Sequence, residues 1–229
     1  MTTGIVVINL DQDTQRMAHM RSELDRVGLP FLRFSALRGD ALPAGLARYF
    51  PVGIELTLGE IGCYASHLAL MQRVIDGELP SPLLVLEDDV GLPNDLDEAL
   101  QTLLAALPQQ WDIVRLSYPT KLISPTIAAL GADRYLVRYS RVPTTTGAYL
   151  ISASGARNFW PRAHAVSPLI MTCDMFGIGI STPSVSNRRW SRMTFSTAQA
   201  LTPCRLPHER VGIEDGRGRS PFYVRPSAA

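Results

Sequence analysis

The chain has 229 residues, 46% of them hydrophobic, and its 22 basic and 21 acidic side chains leave a formal charge of +1. That length and apolar content suit one large packed domain, and the near-zero charge provides no global field for nucleic acid or an anionic membrane. Cys63, Cys173 and Cys204 are odd in number, widely spaced and without a Cys-x-x-Cys pattern, which suggests neither a disulfide framework nor a zinc site. Reduced thiols point to a cytoplasmic protein. Met1 to Leu10 lacks the basic start and apolar length of a signal peptide. No later stretch has the length of a spanning helix, so any membrane contact is expected to be peripheral, at the inner face.

In chain order, Ile5-Val6-Val7-Ile8 reads as a buried strand, and the polar segment Asn9 to Gln15 leads into a helix capped by Asp13 or Thr14. Met17, Met20, Leu24 and Val27 recur at helical spacing, and Gly28-Leu29-Pro30 ends the helix. Phe31 to Ser35 is a second strand, a β-α-β opening that predicts a mostly parallel central sheet flanked by helices. Residues 38–56 are punctuated by Gly and Pro and read as irregular. Thr57 and Glu60 have the spacing of a capping box, followed by a helix whose apolar face is Ile61, Tyr64, Ala65, Leu68, Met71 and Ile75. Leu83 to Leu86 is a buried strand, Asn94 or Asp95 caps a helix to Leu107, and Trp111 to Leu116 is another strand. Beyond it the pattern loosens. Arg134 to Tyr139 reads as an edge or hairpin strand, Gly147 to Ile151 as a strand, and Ser152 or Ser154 as the start of a helix to Trp160. Loops are expected after Pro161.

Glu87-Asp88-Asp89 closes the aliphatic strand and is the most informative segment. Three carboxylates at the end of a buried strand are costly to hold together unless a cation neutralises them, and hard oxygen ligands of this kind suit Mn²⁺ or Mg²⁺ shared with phosphates. In open α/β sheets the ligand crevice lies beyond the carboxyl ends of strands, where this triplet falls. Arg16 stands in the first turn of a helix, where the dipole disfavours a cation. It reads either as a solvent-facing partner of Asp13 or Glu23, or as a guanidinium fork for a diphosphate near the end of the first strand. Neither a Gly-x-Gly-x-x-Gly fingerprint nor a Walker loop is present, so a nucleotide would be held by strand-end loops and a metal. Gly59 and Gly62 weaken the first turns of their helix, which close backbone approach would justify. Ser66 and His67 read as buried hydrogen-bonding residues.

Five blocks occur in order: Val7-Ile8-Asn9-Leu10-Asp11 with Arg16; Gly59-Glu60-Ile61-Gly62-Cys63 with Ser66-His67; Leu84-Val85-Leu86-Glu87-Asp88-Asp89; Trp111 to Leu116; and Thr146-Gly147-Ala148-Tyr149-Leu150-Ile151-Ser152. Together they resemble glycosyltransferase family 25, the lipopolysaccharide-type β-galactosyltransferases that also include the procollagen galactosyltransferases. The resemblance implies a GT-A type, Rossmann-like nucleotide-diphospho-sugar transferase fold and inverting transfer from a UDP-sugar, commonly UDP-galactose, to a glycan or lipooligosaccharide acceptor. It implies Mn²⁺ or Mg²⁺ on Asp88 and Asp89. Asn9, Leu10, Arg16, Glu60, Glu87, Asp88, Thr146 and Gly147 are the implied nucleotide-sugar contacts.

Asp174 is the candidate base for the acceptor hydroxyl, standing where the family carries Pro-x-Asp and this chain reads Thr172-Cys173-Asp174. The whole chain, 1–229, is expected to be one transferase domain: a nucleotide-binding half at 1–116, an acceptor half at 117–204 and a basic tail at 205–229. Two other readings remain: a Mg²⁺-dependent phosphohydrolase, which the missing Asp-x-Asp on the first strand disfavours, and a non-catalytic nucleotide-sugar or glycan binder.

Overall fold

A computed structural model describes residues 3–51, 53–116, 126–131, 134–138, 146–165 and 178–181, with backbone alone at 138, 160–165 and 178–181. All of them fall in one compact unit, Met1–Gln199; the other, Ala200–Ala229, lies outside the described residues, as does Asp174. The elements run β1 (Gly4–Asn9), α1 (Thr14–Arg26), β2 (Leu32–Ser35), α2 (Ala44–Ala47), α3 (Leu58–Ile75), β3 (Leu83–Glu87), α4 (Leu96–Ala106), β4 (Ile113–Arg115), β5 (Thr126–Ala129), β6 (Tyr135–Arg138), β7 (Ala148–Ile151), α5 (Ala153–Ala165) and β8 (Ile178–Ser181).

Period-two alternation builds the layers. Ile5 and Val7 of β1, with Leu84 and Leu86 of β3, pack against Met17, Met20 and Leu24 of α1 and Leu96, Leu100 and Leu103 of α4. Their neighbours Val6, Ile8, Leu83 and Val85 turn to the opposite face, against Leu70, Met71 and Val74 of α3 and Ala156 of α5. Both faces of these strands are thus covered by helices, which is why the strands read as continuous apolar runs. Each such side chain contributes roughly 1.5–3 kcal/mol when fully buried.

The strand order is β2-β1-β3-β7-β4-β8-β6-β5. β2, β1, β3, β4, β8 and β5 run one way, while β7 and β6 run against them, so the mixed sheet is mostly parallel in direction. Strands from before and after position 116 interleave in it, β4 lying between β7 and β8. Among the described residues no helix is long and apolar enough to cross a membrane.

Several local expectations are met and others corrected. Gly28 adopts φ 69°, and Leu29 N–H reaches back to Leu24 O at 3.1 Å, closing α1 as a glycine stop should. Thr57 and Glu60 form the capping box. Asp13 and Asp95 occupy the N-cap positions of α1 and α4 without capping through their side chains. Asp95 is drawn instead to Arg134, which donates to both carboxylate oxygens at 2.7 and 2.8 Å. Of the edge and hairpin readings of β6 the second holds: it pairs antiparallel with the preceding β5 and lies between β5 and β8. β5, β8 and the single turn α2 fall in segments read as irregular, being too short to show a period, and α5 continues through Pro161 to Ala165.

Candidate active site at the strand ends

The site is assembled where three strands meet one edge. β1 and β3 are parallel neighbours, with Ile8 opposite Glu87, so Asn9 and the acid triplet emerge side by side. β7 is antiparallel to β3, so its start brings Thr146 and Gly147 to the same place, and Glu87 N–H donates to Gly147 O at 2.8 Å. Gly147 fits closely there: a Cβ on it would stand 3.2 Å from Val90 Cγ1.

The pleat of β3 then divides the triplet. Asp88 continues the Leu84–Leu86 face toward α1, and its carboxylate is gripped from two sides. Buried Asn9 donates from Nδ2 to Oδ2 at 2.7 Å, and Arg16 Nη1 donates to Oδ1 at 3.0 Å. Of the surface partners read for Arg16, Glu23 pairs instead with Arg26 at 2.7 Å and Asp13 acts only electrostatically, while Arg16 also reaches Asp89 at 4.0 Å. Burial lowers the Arg16 pKa, but Asp88, Asp89 and Asp13 outweigh that and raise it. The orientation of Asn9 is itself held: Arg33 Nε donates to its Oδ1 at 3.0 Å, and its Nδ2 also reaches Asp13 O at 3.0 Å. Arg33, on β2 beside β1, was not among the sequence candidates. Its signal is weak: Arg33 lies in a short, largely exposed edge strand, opposite Val7 in the parallel register, and reaches diagonally to Asn9 two residues on along the same face.

Glu87 continues the Leu83–Val85 face toward α3. There it lies 3.5 Å from His67 Nε2 and accepts a hydrogen bond from Thr146 Oγ1. His67 Nδ1 is 2.9 Å from the Tyr149 hydroxyl. Burial opposes a charged imidazole, yet Tyr149, Cys63 and Glu87 around it overcome that and hold His67 well above the usual histidine range. Burial likewise opposes the Glu87 carboxylate, while His67, Thr146 and Arg115 hold it low. His67 is therefore the buried hydrogen-bonding residue expected from its helix, and it also neutralises the first acid of the triplet. Ser66 accepts from Leu37 N–H at 2.8 Å and donates to Gly62 O at 2.7 Å, a purely structural role.

Of the two glycines in α3, Gly62 has the close approach that justifies it, since a Cβ there would lie 2.4 Å from Leu37 O; Gly59 does not. Glu60 stands at the N-terminus of α3, where its carboxylate accepts from Thr57 N–H at 2.7 Å in the capping box. Leu10 follows β1 at the site edge, its carbonyl accepting from Asp13 N–H at 3.0 Å.

Asp89 is the acid left facing out, its side chain 45% exposed. Partial burial, with repulsion from Glu87 and Asp88, pushes its carboxyl up against the pull of Arg16. A carboxylate in that state gains from a nearby cation. Two adjacent hard-oxygen side chains, one oriented and one exposed, are of the donor type that suits Mn²⁺ or Mg²⁺.

Comparison with known proteins gives the family. The model for glycosyltransferase family 25 (LPS biosynthesis protein) matches residues 2–176. The chain belongs to glycosyltransferase family 25. The family match takes in every site residue described above, and Asp174 as well. Among relatives, the lacto-N-neotetraose biosynthesis glycosyltransferase LgtB of Neisseria meningitidis serogroup B is 31% identical over 189 residues, covering 74% of this chain and 68% of LgtB. Human procollagen galactosyltransferase 2 is 32% identical over 105 residues, 44% of this chain and 16% of its own. The probable inactive glycosyltransferase 25 family member 3 of Rattus norvegicus is 29% identical over 170 residues, 67% of this chain and 29% of its own. This chain thus spans less than a third of the rat and human proteins.

Proposed function

We propose that this family 25 member is a metal-dependent, inverting hexosyltransferase of GT-A type that moves galactose from UDP-galactose to a hydroxyl of a glycan or lipooligosaccharide. The observation that carries the reading is the division of labour at the end of β3. Asp88 is oriented by Asn9 and Arg16, while Asp89 is exposed and electrostatically short of a cation. The galactosyl and lipopolysaccharide elements rest on the descriptions of the family and its human relative.

Asp88 and Asp89 would hold Mn²⁺ or Mg²⁺, and such an ion, when bound, stabilises the leaving nucleoside diphosphate as a Lewis acid. Arg16 supplies a second positive group on the α1 side, and it reaches the site beside helix N-terminal amides that favour phosphate. Asn9 keeps Asp88 from rotating away, so the acid is oriented before the donor arrives. Thr146, Gly147, Leu10 and Glu60 are the further proposed donor contacts. Asp174 remains the proposed base, taking the acceptor proton as the hydroxyl attacks the anomeric carbon opposite the diphosphate. The proposed setting is cytoplasmic, at the inner face of the membrane where lipid-linked acceptors are met.

Calorimetry of UDP and UDP-galactose with and without Mn²⁺ tests this reading. Metal should tighten binding of both, and Asp89→Asn should remove that gain; equal affinity with and without metal overturns it. The inactive description of the rat relative makes donor binding without transfer the second reading. Tight Mn²⁺-dependent UDP binding, with no turnover of UDP-galactose against any glycan acceptor, would establish that reading instead.

A further inference from the structure

Behind the proposed donor site, Cys63, His67 and Glu87 form a second constellation. One ligand atom of each lies within 4.8 Å of those of the other two. Cys63 and His67 are four residues apart on α3, hence on one face of the helix, and Glu87 approaches from the end of β3. We propose that these three side chains are a binding site for a thiophilic divalent ion of the Zn²⁺ class, with a fourth position open to solvent. It is separate from the hard-cation site assigned to Asp88 and Asp89 and does not depend on the transferase reading.

The donor set is the first argument. Thiolate, imidazole and carboxylate together are a zinc-type combination, unlike the all-oxygen pair in front. Spacing is the second. Tetrahedral zinc with bonds of about 2.0–2.1 Å to nitrogen and oxygen sets those two atoms about 3.3 Å apart. His67 Nε2 and Glu87 Oε1 stand 3.5 Å apart, long for a hydrogen bond between charged groups and close to the spacing of two ligands on one ion. Orientation is the third. Tyr149 holds Nδ1 at 2.9 Å, the outer-shell contact that fixes a metal-bound histidine and aims Nε2 at the ion. Access is the fourth: His67 is buried, but Cys63 is exposed, so an ion enters from solvent through the thiol. Binding releases the thiol proton of Cys63 and the proton shared by His67 and Glu87; no electrons are transferred. No Cys-x-x-Cys pattern announces such a site, because its ligands come from one helix face and a distant strand end.

Cobalt is the probe. In full-length protein carrying Cys173→Ser and Cys204→Ser, Cys63 is the remaining thiol, the chain having three. Co²⁺ titration should then produce a near-ultraviolet thiolate-to-cobalt charge-transfer band, with the intense visible bands of a tetrahedral ion, and Zn²⁺ should bleach both. Adding Cys63→Ser, an exposed substitution compatible with folding, should remove the charge-transfer band. Tyr149→Phe should keep the band while weakening the ion roughly 10–100-fold, as losing an outer-shell partner does. Absence of the band in correctly folded protein, or its persistence without Cys63, overturns the proposal. A thiolate–cobalt spectrum in a protein without transferase activity supports this site and counts only against the proposed function.

Discussion

Glu87 and Asp89 are two residues apart and lie in opposite electrostatic settings. Glu87 faces α3, where His67 and Thr146 satisfy it and, with Arg115, hold its carboxyl low. Asp89 faces outward, half exposed, and its neighbours raise its carboxyl. A run of identical charges at a strand end is therefore not one ligand set. The inner pocket is already neutral as folded, whereas the outer edge is short of positive charge. The pleat of β3 separates Glu87 from Asp88, and the turn that follows the strand leaves Asp89 exposed.

The largest expected effect comes from breaking the inner side. His67→Ala takes from the half-buried Glu87 carboxylate its nearest cation, leaving the more distant Arg115, which should cost about 1–3 kcal/mol of unfolding free energy by chemical denaturation. Its pH dependence has a definite sign. His67 is raised above 6.5, so its contribution is complete below that value and is lost as pH rises through the folded pKa. Glu87 is lowered from 4.5, so its contribution is complete above that value and is lost as pH falls through the folded pKa. The stability gap between the natural protein and His67→Ala should thus be widest between pH 4.5 and 6.5 and narrow on either side. A gap that grows steadily toward alkaline pH would show that the pair is not ionic.

On the outer side, Asp89→Asn should leave the unfolding midpoint nearly unchanged and lower kcat/KM with Mn²⁺ at least about 100-fold, or about 2.7 kcal/mol. A large loss of stability instead would erase the contrast between the two acids. Gly62→Ala tests what seats α3, and with it His67, against the sheet. Its Cβ would meet Leu37 O at 2.4 Å, so a loss of about 1–3 kcal/mol is expected. Gly59→Ala, whose nearest neighbour would be Thr57 Oγ1 at 3.9 Å, should instead stabilise the protein by roughly 0.5–1 kcal/mol, read from thermal melts. The smallest effect belongs to Arg33→Lys. It keeps the charge but loses the fork that orients Asn9, and a few-fold rise in the KM for donor, with kcat little changed, is expected.

The residues that were legible explain why the others were not. The β1–α1–β2 opening, the Thr57–Glu60 box and the acid-ended β3 are local patterns, each set by periodicity or capping within a few residues of itself, and each appears where the residues place it. The split of the triplet was also within reach, since the alternation of Leu83 to Leu86 extends through Glu87 and Asp88. Counting three acids as a single cation site concealed it. Arg16 was read either toward its sequence neighbours or toward a diphosphate, and nothing local reveals its bond to Asp88, 72 residues away.

Sequence alone determined the layered α/β plan, the acid cluster at a strand end, and the family, because buried runs, helix stops and motif blocks are written in contiguous residues. Tertiary structure alone decided that Arg33 orients Asn9, that His67 neutralises Glu87 and that Cys63 joins them. Those contacts depend on which strands become neighbours, and strand pairing is settled by the packing of the whole sheet, not by any local run of residues.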